Sequence, residues 1–121
     1  MTPEGITPKV TIPSPSLIIK RDHRSDLYAD YYDSWTDFLD DLAKAYHDTI
    51  QHFYDLGARY VQLDDTTWGY LIQQIENEKN NPEKTAELAK IAEDDVYTIN
   101  KAFEGLPEDL TSVSYTHLTL P

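Results

Sequence analysis

Apolar residues recur at three- and four-residue spacing after Ser34, which predicts a long amphipathic helix. Ser34 is followed three residues later by Asp37, a pair typical of a capped helix N-terminus. Gly57 can adopt the left-handed conformation that ends helices, so the helix is expected to stop just before it. The apolar face comprises Trp35, Phe38, Leu42, Ala45, Tyr46, Ile50, Phe53 and Tyr54.

Two further helices are predicted in the second half of the chain. One begins after Thr66 and Thr67, which offer an N-cap. The next begins with Asn81 as its cap and Pro82 at its first position, and it closes at Gly105. Its apolar stripe comprises Leu88, Ile91, Ala92, Val96, Ile99 and Phe103.

Three short runs of β-forming residues alternate with these helices. Lys9–Ile12 precedes the proline- and serine-rich segment Pro13–Ser16, Tyr60–Asp65 follows Gly57, and Leu110–Val113 follows the last helix. Alternation of this kind predicts a parallel sheet with helical crossovers. Pro13–Ser16 is either a ligand-facing edge or a simple turn, and Leu17–Tyr32 is expected to be a long loop with a helical turn.

The composition narrows the range of functions. A formal net charge of -12 disfavours nucleic acid and anionic membranes as partners. The chain has no cysteine, so it can form no disulfide and supply no thiolate metal ligand. No apolar run approaches the length of a membrane span, and a cytoplasmic location is expected.

The carboxylates at the end of the second strand are the main candidates for chemistry. Polar groups at the carboxyl ends of parallel strands commonly line ligand sites, and Asp64 is expected there. A buried carboxylate must be hydrogen-bonded, paired or at a cavity. Asp64 could therefore instead cap the helix at Thr66 or pair with Arg59 or Lys9.

Other charged groups are expected to have structural or solvent-facing roles. The runs Asp40–Asp41 and Glu93–Asp95 are interpreted as solvated helix faces and caps. Arg21, His23 and Arg24 are expected in a solvated loop, with contact to an anionic ligand as the alternative.

Three segments, read together, resemble the C-terminal catalytic domain of cobalamin-independent methionine synthase and its shorter relatives. They are Val10–Ser16, Asp40–Tyr46 and Leu56–Asp65, in matching order and spacing. The resemblance implies an α/β fold, namely a partial TIM-type (β/α)8 barrel of about two to three βα units. Residues 1–113 are expected to be the N-terminal part of that barrel, and residues 114–121 a non-native tail.

The same resemblance implies a zinc-dependent transfer of a methyl group from methyltetrahydrofolate to the thiol of homocysteine, as in methionine biosynthesis. Asp64 matches the aspartate that binds the substrate's amino group, and Asp65 stands where the methionine synthases have glutamate. Ser14 and Ser16 lie where the family lines the folate side of its cleft. Trp68 either lines the same cleft or belongs to the core. These five residues form the predicted substrate site.

The zinc ligands implied by the resemblance are missing from this chain. The family's His-x-Cys motif is expected just after Val113, where the chain has His117 followed by leucine. The isolated chain is therefore expected to be an inactive fragment. The alternatives are a related thiol alkyltransferase, or a small acidic helical domain that binds a partner through Tyr28–Trp35.

Overall fold

The computed structural model describes residues 2–19 and 27–114. Eight elements follow one another along these ranges. They are β1 (Lys9–Pro13), α1 (Ser16–Ile19), a 3₁₀ helix (Leu27–Asp30), α2 (Trp35–Asp55), β2 (Tyr60–Asp64), α3 (Thr67–Asn77), α4 (Pro82–Phe103) and β3 (Thr111–Ser114).

The three strands form a parallel sheet in the order β1-β2-β3. Lys9 is paired with Tyr60 and Pro13 with Asp64, so β1 and β2 end at the same level. The amide of Ser14 donates to the carbonyl of Asp64 at 2.9 Å and extends the pairing one step beyond β1. The two segments that carry the predicted site are therefore neighbours in space.

The boundaries of α2 and α4 follow the signals in the sequence. The Ser34 hydroxyl accepts the amide of Asp37 at 3.1 Å, and Asn81 accepts the amide of Lys84 at 3.2 Å. Gly57 has φ 104°, the left-handed conformation expected after the end of α2. These caps satisfy amides that a helix cannot bond internally.

The hydrophobic core lies on one face of the sheet. Val61 and Leu63 alternate along β2 and pack against Ile50 of α2, and all three side chains are buried. Ile99 and Phe103 of α4 pack against the same cluster. The intervening residues of β2 point to the other face and are only half-buried.

The expected partial TIM-type barrel is wrong for this chain. The described residues form an open three-stranded sheet in which β1 and β3 each pair only with β2. Closing a sheet into a barrel requires a consistent strand number, tilt and stagger, with about eight strands in the TIM type. Local α/β alternation predicts the parallel pairing but contains no information on closure.

Residues 1, 20–26 and 115–121 lie outside the described residues, so the structure does not address the expectations for Arg21, His23, Arg24 and His117. Within the described ranges, no helix has the length and apolar character required to cross a membrane.

Candidate functional site

The two carboxylates at the end of β2 point to opposite sides of the sheet. Asp65 continues the alternation of Val61 and Leu63 and is 4% exposed. Asp64 lies on the other side and is half-buried. Successive side chains in a strand face opposite ways, so these adjacent aspartates occupy different environments.

Asp65 joins the end of β1 to the start of α3. Its Oδ2 accepts the Ser14 hydroxyl at 3.0 Å, and its Oδ1 accepts the Ser16 hydroxyl at 2.9 Å. Oδ1 also accepts the backbone amide of Thr67 at 2.9 Å. Ser14 and Ser16 are both fully buried, so these bonds satisfy hydroxyls that have no access to water.

The start of α3 is therefore capped by a residue that the sequence did not single out for this role. The Thr66 side chain makes no capping hydrogen bond, and Asp65 accepts the Thr67 amide instead. A carboxylate at this position also interacts favourably with the positive end of the helix dipole. The helix-capping role that was an alternative for Asp64 thus belongs to its neighbour, Asp65.

The Asp64 side chain accepts one hydrogen bond within residues 2–19 and 27–114, from the side-chain amide of Gln62 to its Oδ1 at 2.7 Å. The basic residues considered as its partners are engaged elsewhere. Arg59 lies 3.3 Å from Asp109 and stacks on the Tyr54 ring, with its guanidinium carbon 3.9 Å from the centroid. Lys9 lies over the ring of Tyr60.

Asp95 of α4 is the residue at this site that the sequence interpretation misplaced. It was expected on a solvated face, but its side chain is 0% exposed, and neighbouring Asp94 is also buried. Its Oδ2 accepts the Trp68 indole N–H at 2.9 Å. Its Oδ1 is buried and accepts no hydrogen bond from the described residues.

Burial and a second carboxyl group raise the pKa of Asp95 to about 7. Loss of hydration is the largest cause, followed by the charge and hydrogen bonding of Asp65. The Trp68 indole and the Ser16 backbone amide act in the opposite direction and lower the pKa. The Ser16 amide is close enough to influence this carboxyl group, although it forms no well-directed hydrogen bond to Oδ1.

Four of the five predicted site residues thus converge on one buried polar cluster. Ser14, Ser16 and Asp65 bond directly, and Trp68 joins them through Asp95. Asp64 lies at the same end of the sheet but faces away from the cluster.

A sequence signal for Asp95 did exist, because it lies on the apolar stripe of α4. It follows Leu88 by seven positions and Ile91 by four, which is the spacing of one helical face. Val96 was assigned to that stripe and is 44% exposed. The run of acidic residues Glu93–Asp95 favoured a solvated interpretation, although Asp95 has the spacing of the apolar helical face.

A second feature lies beside the start of α2. Aromatic rings of the segment Tyr28–Phe38 line a cavity of about 220 Å³. The Trp35 ring centroid lies 5.1 Å from that of Tyr28 and 5.0 Å from that of Phe38. Tyr31 is 83% exposed. A partner-binding role for Tyr28–Trp35 stays a prediction.

The described residues do not provide a zinc site. Nowhere in residues 2–19 and 27–114 do three His, Cys, Asp or Glu side chains group closely enough to hold a metal ion. Asp65 and Asp95 form only a pair, and both Asp65 oxygens already accept hydrogen bonds. The donor set therefore does not fit the zinc centre that the resemblance implies.

Two proteins of Bacillus subtilis (strain 168) are similar to this chain. The uncharacterized protein YxjG is 40% identical over 112 residues, which cover 87% of this chain and 27% of the relative. The uncharacterized protein YxjH is 37% identical over 111 residues, with the same coverage of each chain. No family model matches the chain. No solved structure matches it either. The chain thus spans about a quarter of the length of these relatives, 27% in each case.

Proposed function

We propose that this chain is the amino-acid-binding part of a zinc-dependent methyltransferase, one that transfers a methyl group from methyltetrahydrofolate or a related donor to the thiol of homocysteine. One observation carries the proposal. Asp64 presents a half-buried carboxylate at the carboxyl end of β2, with Gln62 as its hydrogen-bond donor and no basic partner among the described residues. A cytoplasmic location is part of the same proposal.

Such a carboxylate is suited to bind a substrate ammonium group. Charge-assisted hydrogen bonds are shorter and stronger than neutral ones, and partial burial strengthens them by excluding water. Gln62 holds one oxygen of Asp64 and fixes the orientation of the carboxylate. An incoming ammonium group would then meet a preoriented acceptor.

The remaining predicted residues support the site from behind. Ser14 and Ser16 each donate a hydrogen bond to Asp65, and Asp65 also accepts the Thr67 amide, so these bonds hold the end of β1 against the start of α3. Because they are buried, we propose that they position the substrate-binding end of the sheet and do not touch the substrate. Trp68, bonded to Asp95, would act in the same way.

Zinc would activate the substrate thiol by keeping it deprotonated. The described residues offer no site for it, so the proposal for this chain is limited to binding and positioning. The relatives are much longer, since the matched segment covers 27% of each. We propose that the metal ligands belong to a longer polypeptide that contains this chain.

The experiment is a homocysteine methylation assay on the native polypeptide that contains residues 1–113, with methyltetrahydrofolate and zinc. Asp64→Asn keeps the shape of the side chain and removes its charge. Hydrogen bonds to charged groups contribute about 1.5–3 kcal/mol, so KM for homocysteine should rise roughly 10- to 100-fold. Asp33→Asn, at an exposed aspartate, is the matched control and should leave KM unchanged.

A thiol acid without the amino group, 4-mercaptobutyrate, makes the test specific. The wild-type protein should discriminate strongly in favour of homocysteine, and the Asp64→Asn variant should discriminate little. Equal discrimination by the two proteins would refute the role of Asp64. A panel of other thiols and methyl donors in the same assay separates homocysteine methylation from a related thiol alkyl transfer.

The isolated chain should be inactive, because residues 2–19 and 27–114 offer no site for the zinc that would activate the thiol. Purified chain is assayed with added zinc, homocysteine and methyltetrahydrofolate. Turnover above the uncatalysed background would show that the catalytic groups are present in these 121 residues and would contradict the proposal.

A further inference from the structure

Two buried carboxyl groups from different parts of the chain belong to one polar cluster at the carboxyl ends of β1 and β2. Asp65 follows β2 and is 4% exposed, and Asp95 lies in α4 and is 0% exposed. Two ionised carboxylates in contact and out of water would repel strongly. Their burial together therefore needs an explanation.

The hydrogen bonds of the pair indicate where a proton belongs. Asp65 accepts three hydrogen bonds, and an ionised carboxylate can accept about four. Asp95 accepts one bond at Oδ2, while its buried Oδ1 has no partner. A proton on Oδ1 would turn this unsatisfied acceptor into a donor, and Asp65 still has acceptor capacity for it.

We propose that Asp95 and Asp65 share one proton, and that the protonated pair positions the Ser14–Ser16 turn against α3 and α4 at the proposed substrate-binding end of the sheet. Asp95 is then a positioning residue that acts through Asp65. The link to substrate binding rests on the proposed function. The shared proton itself does not depend on that function: it rests on the burial of the two side chains, on the unsatisfied Oδ1 of Asp95 and on the effect of Asp65 on the Asp95 pKa.

The surroundings of Asp95 favour the protonated form. Tyr46 of α2 lies close enough for the Asp95 charge to raise the tyrosine pKa, although burial is the larger cause. Trp68 of α3 and the Ser16 amide of α1 are neutral donors that favour the ionised form, but burial and the carboxyl group of Asp65 have the larger effect. No basic side chain is among the groups that shift the Asp95 pKa.

The direction of the pH dependence follows from the raised pKa. The pKa of Asp95 is about 7 in the folded protein, and it returns to the ordinary value of 3.8 when the chain unfolds. The stability that this proton contributes is fully present below the unfolded pKa. It falls as the pH rises toward and through the folded pKa of about 7. Each pKa unit is a tenfold change in the folding equilibrium. The shift therefore corresponds to a change of up to about 1,000-fold.

The experiment measures urea unfolding from pH 4.5 to 8.5 for the wild-type protein and two variants. Asp95→Asn carries a permanent N–H donor for Asp65 and still accepts the Trp68 indole, so it should lose the pH dependence caused by Asp95. Asp94→Asn changes the neighbouring buried aspartate and should keep that dependence. Parallel pH profiles for wild type and Asp95→Asn would overturn the proposal.

A spectroscopic measurement keeps the test independent of how the variants fold. In wild-type protein labelled with ¹³C-aspartate, one carboxyl resonance should titrate near pH 7. It should disappear in Asp95→Asn and persist in Asp94→Asn. If every aspartate titrates near its ordinary pKa, the shared proton is refuted.

Kinetics on the native polypeptide test the positioning role separately. KM for homocysteine should rise as pH passes 7 in the wild-type protein, and Asp95→Asn should abolish this rise. A titration near pH 7 with a pH-independent KM would overturn the positioning role. Failure of the proposed function would instead appear as a lack of methyl transfer, with the unfolding and NMR results unaffected.

Discussion

Asp65 is predicted to be a principal polar contributor to the stability of this fold. Replacing it by alanine removes the acceptor of the Ser14 hydroxyl, the Ser16 hydroxyl and the Thr67 amide, at 3.0, 2.9 and 2.9 Å. Both serines are fully buried and cannot turn to water. The substitution therefore leaves several donors without a partner.

The size of the effect follows from these contacts. A hydrogen bond to a charged group contributes about 1.5–3 kcal/mol, and contributions that share one acceptor are not additive. Asp65→Ala should lower the free energy of unfolding by about 3–6 kcal/mol at pH 6. Ser14→Ala and Ser16→Ala should each cost about 1–2 kcal/mol, because each removes one donor and leaves the carboxylate with its other partners.

The effect should become smaller as the pH rises. At pH 6 the proposed pair carries one negative charge, and above about pH 7 Asp95 ionises beside Asp65. Removing Asp65 then relieves a repulsion as well as breaking hydrogen bonds. The loss of stability should be larger at pH 6 than at pH 8.5, which is the sign expected for a carboxyl group whose folded pKa is raised.

The assay is equilibrium urea unfolding followed by tryptophan fluorescence and circular dichroism. Asp64→Ala is the matched control, because it changes the adjacent aspartate. Among the residues that the structure describes, only Gln62 donates a hydrogen bond to the Asp64 side chain. It should change stability by less than about 1 kcal/mol. A loss below about 1 kcal/mol for Asp65→Ala, or equal losses for the two variants, would refute the reasoning.

Three further substitutions test the core, a buried hydrogen bond and a helix end, all by urea unfolding. Ile50→Ala, at a core position that is 0% exposed, should lower the free energy of unfolding by about 2–5 kcal/mol. Leu56→Ala, at a site that is 71% exposed, should lower it by less than about 0.5 kcal/mol. Similar losses for the two variants would contradict the assigned core. Trp35→Phe removes the indole bond to Asp94 at 2.8 Å and should cost about 1–3 kcal/mol, and an unchanged midpoint would show that this bond is dispensable. Gly57→Ala meets no atom within 4 Å but must hold φ at 104°, so it should cost about 1–2 kcal/mol, and a stabilised variant would exclude that conformation.

The sequence predicted the individual elements well because their signals are local. Ser34 and Asn81 cap the helices that they were expected to start, and Gly57 follows the end of α2. β2 was expected at Tyr60–Asp65 and is observed at Tyr60–Asp64. Capping, helical periodicity and strand propensity each depend on a few neighbouring residues, which one sequence contains.

The sequence did not predict how those elements close or how the site is divided. Whether a sheet is open or closed depends on which strands lie at its edges, and this is a property of the whole fold. The expectation of a partial barrel was wrong on this point, because β1 and β3 are edge strands of the described sheet. Asp64 and Asp65 were grouped as one substrate site, but strand alternation sends them to opposite sides. The methyltransferase assignment stays a prediction, since the relatives' descriptions state no activity.

What the sequence alone determined, therefore, was the order of helices and strands and the placement of serines and aspartates at the ends of two neighbouring strands. Only the tertiary structure showed that Asp95, far along the chain, lies beneath those strand ends with a buried, unsatisfied oxygen. The reason is physical. Burial and hydrogen bonding between residues that are distant in the chain depend on packing. The sequence around an acidic residue in a run of acidic residues does not show whether its side chain lies in water or in a core.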